Sequence, residues 1–509
     1  MSTPRFDLLC EPWVPCRTRD GMAEVLGLRD LLVRSHELVD LAGDPPVTAA
    51  LVRLAVALVH RVLNGPTTVV AWAAAWEQGR FEARAVDAYL ASVGERFDLL
   101  HPEWPFFQAP LPDARRKTPA VLDPAAASGN NATLFDHSLD AHPVPLTPAA
   151  AARHLLALQA FSAGGLMGGE GAGRVSGKAG PLSGSWVFVV VGTTLFHTLM
   201  LNTPLYDPAR ELPFAPIGED QAIWERPPPT AAAVRDPAGW LDLLTYPSRR
   251  VHLVAEGTKS ELCVTGAVLT DGDRPSAAWS PRGRDLALAF RQERTGWAPL
   301  RPSEERDLWR DADVLLRAQD ASDPPGVVEH VARLVGQGAL SPDEPLGLAA
   351  YALATNQAKY LYWREQHLPL PARLFAIDTA AERVGRAVGA AEGVGGALQR
   401  AVAELAGRPD KPSLDRDERQ RRRTWARHAM GDYWARLGPP FDRFLVTLGE
   451  PDAAFAEWSV VLEHAARAAW HSWSVAVPHS PAGFRRVAAA DYHFSRAVAA
   501  ARGVNEEAA

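Results

Sequence analysis

Two segments of the 509-residue chain hold residue types suited to chemistry: a glycine-rich run, Gly164–Gly184, and a His/Asp cluster, Asp136–His142. A phosphate-cradling loop of the GxxxxGK type uses backbone N–H groups and a lysine, then Ser or Thr, to wrap phosphates. Around Gly177–Lys178 the first glycine position is Ala172 and Ala179 follows the lysine, so that loop is not present. A dinucleotide fingerprint needs GxGxxG after a strand. Here Gly171-Ala172-Gly173 is followed by Ser176 where the third glycine belongs, and the run follows a helical pattern. Asp136, His137, Asp140 and His142 could donate to a divalent metal, as a metal-dependent nuclease would require. Their spacing matches no established ligand motif, and solvated loop residues are the plainer account. No HExxH or GxSxG occurs. The three cysteines, Cys10, Cys16 and Cys263, form no CxxC knuckle, and Cys10 and Cys16 are expected as small core fillers. The missing constellations favour a binding protein, with no catalytic residues, no metal and no cofactor.

Composition narrows the class further. Apolar residues make up 47% and charged residues 22%, which excludes a disordered, collagenous or coiled-coil chain. Net charge is −7, so there is no global basic footprint for nucleic acid. The balance is uneven, since residues 370–509 carry 19 Arg/Lys against 17 Asp/Glu. The apolar stretch around Ser185–Leu201 is interrupted by Gly192, Thr193, Thr194 and His197, so no membrane span is expected. Met1–Asp7 has no apolar h-region, and a cytoplasmic protein is expected.

The elements that must position any site fall into two regions, an α+β arrangement. Residues 1–369 read as a large, irregular mixed α/β domain. Asp44-Pro45-Pro46 caps a strong helix, Val47–Leu63, and Thr147-Pro148 starts another, Ala149–Phe161. Strands are expected at Phe6–Leu9, Trp13–Val14, Trp186–Val191, Arg250–Val254, Leu262–Leu269 and Leu286–Phe290. By local propensity, 346–366 reads as a helix. Long Pro/Gly-rich stretches separate these elements, and loops of that length are usually functional or disordered. Residues 370–509 read as an antiparallel four-helix bundle. Val384, Val388, Ala391, Leu398, Val402 and Leu405 keep helical spacing, and Gly438-Pro439-Pro440 reads as a break. Trp458 and Trp473 fall on the apolar stripe of the third helix and are both expected to be buried.

The opening Phe6-Asp7-Leu8-Leu9-Cys10-Glu11-Pro12-Trp13-Val14-Pro15 resembles the start of the CasA-type large subunit of Cascade, the type I-E CRISPR surveillance complex. Further matching strings follow in the same order. They include Ala42-Gly43-Asp44-Pro45-Pro46, His101-Pro102-Glu103-Trp104-Pro105-Phe106-Phe107-Gln108, Thr133-Leu134-Phe135-Asp136-His137 and Leu158-Gln159-Ala160-Phe161 running into Gly164-Gly165. Trp224-Glu225-Arg226-Pro227, Asp242-Leu243-Leu244-Thr245-Tyr246-Pro247-Ser248-Arg249-Arg250 and Asn356-Gln357-Ala358 complete the series. Each string is weak alone; their shared order over some 350 residues is specific.

The resemblance implies a non-catalytic subunit of an RNA-guided antiviral complex. Such a subunit reads the protospacer-adjacent motif (PAM) of double-stranded target DNA from the minor groove, starts strand separation for R-loop formation and helps recruit a helicase–nuclease. It implies a glycine loop at Gly164, Gly165, Gly168 and Gly169, where bare backbone can approach base edges. It implies a wedge at Asn356, Gln357 and Ala358, whose amides can serve bases that lose their partners. The basic finger departs from the family pattern. The hairpin expected at Val264–Leu269, returning through Ala277–Trp279, offers Arg274 alone. Phe135, Asp136 and His137 would dock on the 5′ handle of the CRISPR guide RNA and on other Cascade subunits. Some relatives carry a zinc knuckle before the finger; with only Cys263 here, no zinc is expected.

Overall fold

The computed structural model describes residues 4–111, 115–123, 143–168, 174–206, 215–258, 261–316, 321–356, 359–407 and 415–506. The chain divides into two compact units. The first comprises Met1–Pro302, Asp320–Ser341 and Pro345–His367, and the second Ser303–Gln319, Pro342–Glu344 and Leu368–Ala509. A mixed α/β region thus precedes a C-terminal cluster of long helices, and Ser303–Gln319 joins that cluster from far upstream.

In the first unit, strands β1 (Val14–Thr18), β2 (Ala23–Leu26) and β3 (Leu38–Leu41) form a small sheet in the order β2-β1-β3. Phe6–Leu9, expected as a strand, contributes a single bridge from Asp7 to Asp98 before turning. Cys16 is buried on β1, but Cys10 is exposed and fills no core.

Helix α1 (Pro45–Val62) is the core of this unit. Asp44 precedes it and two prolines start its first turn, where missing N–H groups cost nothing. Its Val, Ala and Leu residues cover every face, the pattern of a helix enclosed on all sides. By length and composition it could cross a membrane, yet 89% of it is buried within the fold. Its two cations are paired. Arg53 bonds Asp285 at 3.1 Å, and Arg61 bonds Glu225 at 2.6 Å.

Against α1 pack α2 (Pro148–Phe161) and a sheet. Thr147 caps α2 by accepting from Ala150 N at 3.2 Å. After α2 comes a two-stranded ribbon, β4 (Gly165–Gly168) and β5 (Arg174–Gly177), then β6 (Trp186–Val191), a run of six apolar residues. Strand β7 (Arg249–Glu256) pairs antiparallel with β8 (Cys263–Asp271). Strands β9 (Gly347–Asn356) and β10 (Lys359–Pro369) join β6 in the order β10-β9-β6.

The stretch 346–366 is therefore a pair of strands and not the helix that propensity favours. Ala349, Ala350, Ala352 and Ala354 are buried where β9 lies between β6 and β10 and under α1. Small side chains let strand and helix approach, and this packing overrides intrinsic preference. Strand β10 alternates exposed and partly buried residues, as an edge strand with one face in solvent should. A strand does occur near Leu286–Phe290, but it starts at Phe290 and runs to Glu293.

The second unit holds α3 (Ala380–Leu405), α4 (Arg416–Ala435), α5 (Gly438–Thr447), α6 (Pro451–Ser474) and α7 (Pro481–Glu506). Val384, Val388, Ala391, Leu398, Val402 and Leu405 are all buried on α3, as their spacing requires. The short α5 stands where a simple break was expected. Gly438-Pro439-Pro440 starts a helix instead of only ending one, and Phe441, Phe444 and Leu445 are buried. Trp458 is 1% exposed and donates its indole N–H to Ala387 O at 3.0 Å. Trp309, from the upstream segment, sits 6.1 Å from Trp458 and 4.8 Å from Phe441. Trp473 is only half-buried, lying against Trp425 at 5.1 Å. Trp470 is buried instead and stacks on Phe494 at 5.2 Å, so the buried stripe of α6 ends about one turn before Trp473.

Candidate nucleic-acid interface

The glycine run forms a β-ribbon whose strands pair Gly165 with Gly177 and Gly168 with Arg174. Gly169 lies outside the described residues. Gly165 has φ 150°, a conformation that L side chains rarely adopt. A Cβ on Gly164 would meet Ala179 N at 3.0 Å, so the two sides of the neck approach as bare backbone.

Three elements hold that neck. At the end of α2, Gln159 exchanges two bonds with the Arg249 backbone: its Nε2 donates to Arg249 O and its Oε1 accepts from Arg249 N, both at 2.9 Å. Ser248 Oγ donates to Gln159 O at 2.6 Å. The Arg249 side chain, 3% exposed, then reaches both sides of the ribbon, donating to Ala163 O at 3.0 Å and Lys178 O at 2.5 Å. Burial lowers its pKa and raises that of the Tyr360 phenol. From β10, the Tyr360 hydroxyl accepts from Ala163 N at 3.1 Å.

Tyr360 follows the tip of the β9–β10 hairpin. Asn356 ends β9 and is exposed, and Gln357 and Ala358 lie outside the described residues. The hairpin carrying the wedge string is thus bonded to the ribbon carrying the glycine string. Sequence reasoning quoted Gln159, Ser248 and Arg249 inside matching strings but gave them no role, and passed over Tyr360.

The hairpin drawn for the basic finger is not formed. Strand β8 pairs with the preceding β7 and with Arg116–Lys117, whereas 277–279 lie in a turn. Lys259, in the sequence between β7 and β8, lies outside the described residues. Arg274 is exposed beyond the other end of β8, where its N–H donates to Ala233 O at 2.9 Å. It lines a cavity of about 90 Å³ together with Ser176, Lys178, Arg249 and Trp279, at the neck of the glycine ribbon.

Phe135, Asp136, His137 and the nearby Asp140 and His142 all lie outside the described residues. Among the described residues, no group of three His, Cys, Asp or Glu side chains could hold a metal ion.

Comparison with known proteins places this geometry in a family. The model of CRISPR-associated protein Cse1 matches residues 7–472. CRISPR-associated protein CasA/Cse1 of Thermus thermophilus is 33% identical over 494 residues, 92% of each chain. Cse1 from Acidimicrobium ferrooxidans superposes with a TM-score of 0.85 at 27% identity over 99% of both chains. A chain of a CRISPR RNA-guided surveillance complex superposes with a TM-score of 0.79 at 27% identity, over 97% of this chain and 99% of that one. This chain belongs to the Cse1 family, the CasA-type large subunits of CRISPR Cascade. Members of that family are non-catalytic.

Proposed function

We propose that this chain is the subunit through which a type I-E surveillance complex reads the PAM in duplex DNA and begins to part the strands. The minor groove is about 6 Å wide and its donor–acceptor code is degenerate, so readout there needs slender groups. The glycine-rich segment, with Gly164, Gly165, Gly168 and Gly169, supplies backbone with no Cβ to obstruct it. Arg274 supplies a cation beside the ribbon's neck, where a narrow groove concentrates negative potential. Gln357, between Asn356 and Ala358, enters the adjacent base step and serves the separated edges with its amide. The segment with Phe135, Asp136 and His137 docks on the guide RNA 5′ handle and the neighbouring subunits, and the assembled complex recruits the helicase–nuclease in the cytoplasm.

One observation supports this proposal: Tyr360, two residues past Ala358 in sequence, bonds Ala163, one residue before Gly164, which ties the start of β10 to the neck of the glycine ribbon. The test is reconstitution. Added to a guide-loaded complex that lacks its large subunit, this chain should restore duplex binding that depends on the PAM. Restored binding that ignores both the PAM and Gln357 would make the chain a scaffold. Metal-dependent cleavage by the chain alone would make it a nuclease.

A further inference from the structure

Ala163, which was assigned no role, lies between two parts of one matching string and is bonded by Arg249 from a second and by Tyr360, two residues past a third. Ala163 leaves α2 and enters the glycine ribbon. Its carbonyl accepts from Arg249 on β7 at 3.0 Å, and its N–H donates to the Tyr360 hydroxyl on β10 at 3.1 Å. Backbone groups at the mouth of a ribbon usually pair with other backbone. Here both backbone groups of one residue are given to side chains from separate strands. The Arg249 guanidinium also bonds Lys178 O on the returning side at 2.5 Å, and Gln159 fixes the Arg249 backbone from the end of α2.

A two-stranded ribbon of four residues per strand is marginally stable alone. Its orientation therefore depends on β8, against which both of its strands pack, and on what holds its neck. Tyr360 is the second residue of β10, two positions in sequence past Ala358, so a shift of the ribbon is passed to the start of β10 through one hydrogen bond. We infer that Tyr360 and Arg249 are positioning residues that couple the glycine ribbon to the wedge hairpin, so that engagement of the groove by one sets the other against the first base pair. This rests on the roles proposed above for the two hairpins.

The test uses the full complex with guide RNA. A fluorescent base analogue in the first target pair reports the opening rate, and a target whose first pairs are mismatched reports PAM engagement without opening. Tyr360→Phe keeps the ring and removes the acceptor. It should slow opening roughly tenfold, the scale expected for one partly buried N–H left unpaired. Binding to the pre-opened target should stay within about twofold of the parent. Gln357→Ala should slow opening in the parent but add less than about twofold in the Tyr360→Phe background, the non-additivity expected of coupled parts.

Ala163→Pro removes the same bond from the donor side. Ser162, at φ −54° and ψ 134°, already has the extended backbone that precedes proline. It should reproduce the Tyr360→Phe pattern, and the double variant should open no more slowly than either single one. Effects of Tyr360→Phe and Gln357→Ala that multiply would overturn the coupling. So would a Tyr360→Phe defect as large on the pre-opened target as on paired DNA. If neither Gln357→Ala nor Gly165→Asp changes anything in the parent, the proposed roles of the hairpins fail, and the coupling with them.

Discussion

His60 shows what full burial does to one side chain. Its ring is completely enclosed, edge-on to Tyr206 with centroids 5.1 Å apart. Desolvation, aided by His330 and Arg61, pulls its pKa down to about 3. In the unfolded chain a histidine titrates near 6.5. Between those values only the unfolded state binds the proton, so the stability due to a neutral His60 is full above pH 6.5 and is lost as pH falls. Each pH unit in that window costs about 1.4 kcal/mol. Denaturant unfolding at pH 7, 6 and 5 should show this slope in the wild-type chain and a slope shallower by that amount in His60→Leu; equal slopes would contradict it. On the proposed DNA face, Gly165→Asp adds a Cβ at φ 150° and a charge that repels phosphate. It should weaken PAM-dependent binding by roughly 5- to 150-fold, the effect of about 1–3 kcal/mol. Arg274→Ala should weaken binding and reduce its salt dependence by about one unit of slope, measured by titrating the complex with duplex at several salt concentrations.

At the scale of elements, the helical unit gives an internal comparison. Trp458 is enclosed and hydrogen-bonded to Ala387, whereas Trp473 is half-buried against Trp425. Trp458→Ala should cost about 3–5 kcal/mol in urea unfolding. Trp473→Ala should cost less than about half of that, since it leaves no enclosed cavity. Equal losses would contradict the placement of the two rings. The helix starts at Asp44-Pro45-Pro46 and Thr147-Pro148, the strand Trp186–Val191 and the stripe of α3 were legible because each is set by local chemistry or a short period. The β9–β10 hairpin was not, because alanine-rich 346–354 favours a helix until β6 and α1 pack against it. Prolines at 439 and 440 serve helix initiation as readily as termination, which hid α5. In the candidate site the glycine run stands out in the sequence as a run, but the bonds to Ala163 from Arg249 and Tyr360 span 86 and 197 positions. No local pattern reports contacts of that length.

For the whole molecule, net charge of −7 limits what the subunit can do by itself. Non-specific affinity for duplex comes from phosphate neutralisation and counterion release, and this chain has little surplus cation to supply it. The free chain should therefore bind duplex weakly and with little sequence preference in a filter or anisotropy assay. PAM-dependent binding should emerge only in the RNA-loaded complex. Tight, selective binding by the lone chain at physiological salt would contradict this. Within the complex, the first base pair is the uncompensated step: opening costs about 1–2 kcal/mol of stacking, and no RNA–DNA hybrid yet offsets it. The most direct test compares R-loop nucleation on linear and negatively supercoiled targets for Gln357→Ala and Gly165→Asp complexes. Supercoiling lowers the cost of opening but does nothing for groove reading. It should therefore restore much of the Gln357→Ala rate and little of the Gly165→Asp rate. Equal rescue of both variants, or no defect in Gln357→Ala on linear DNA, would contradict the assignment of groove reader and wedge.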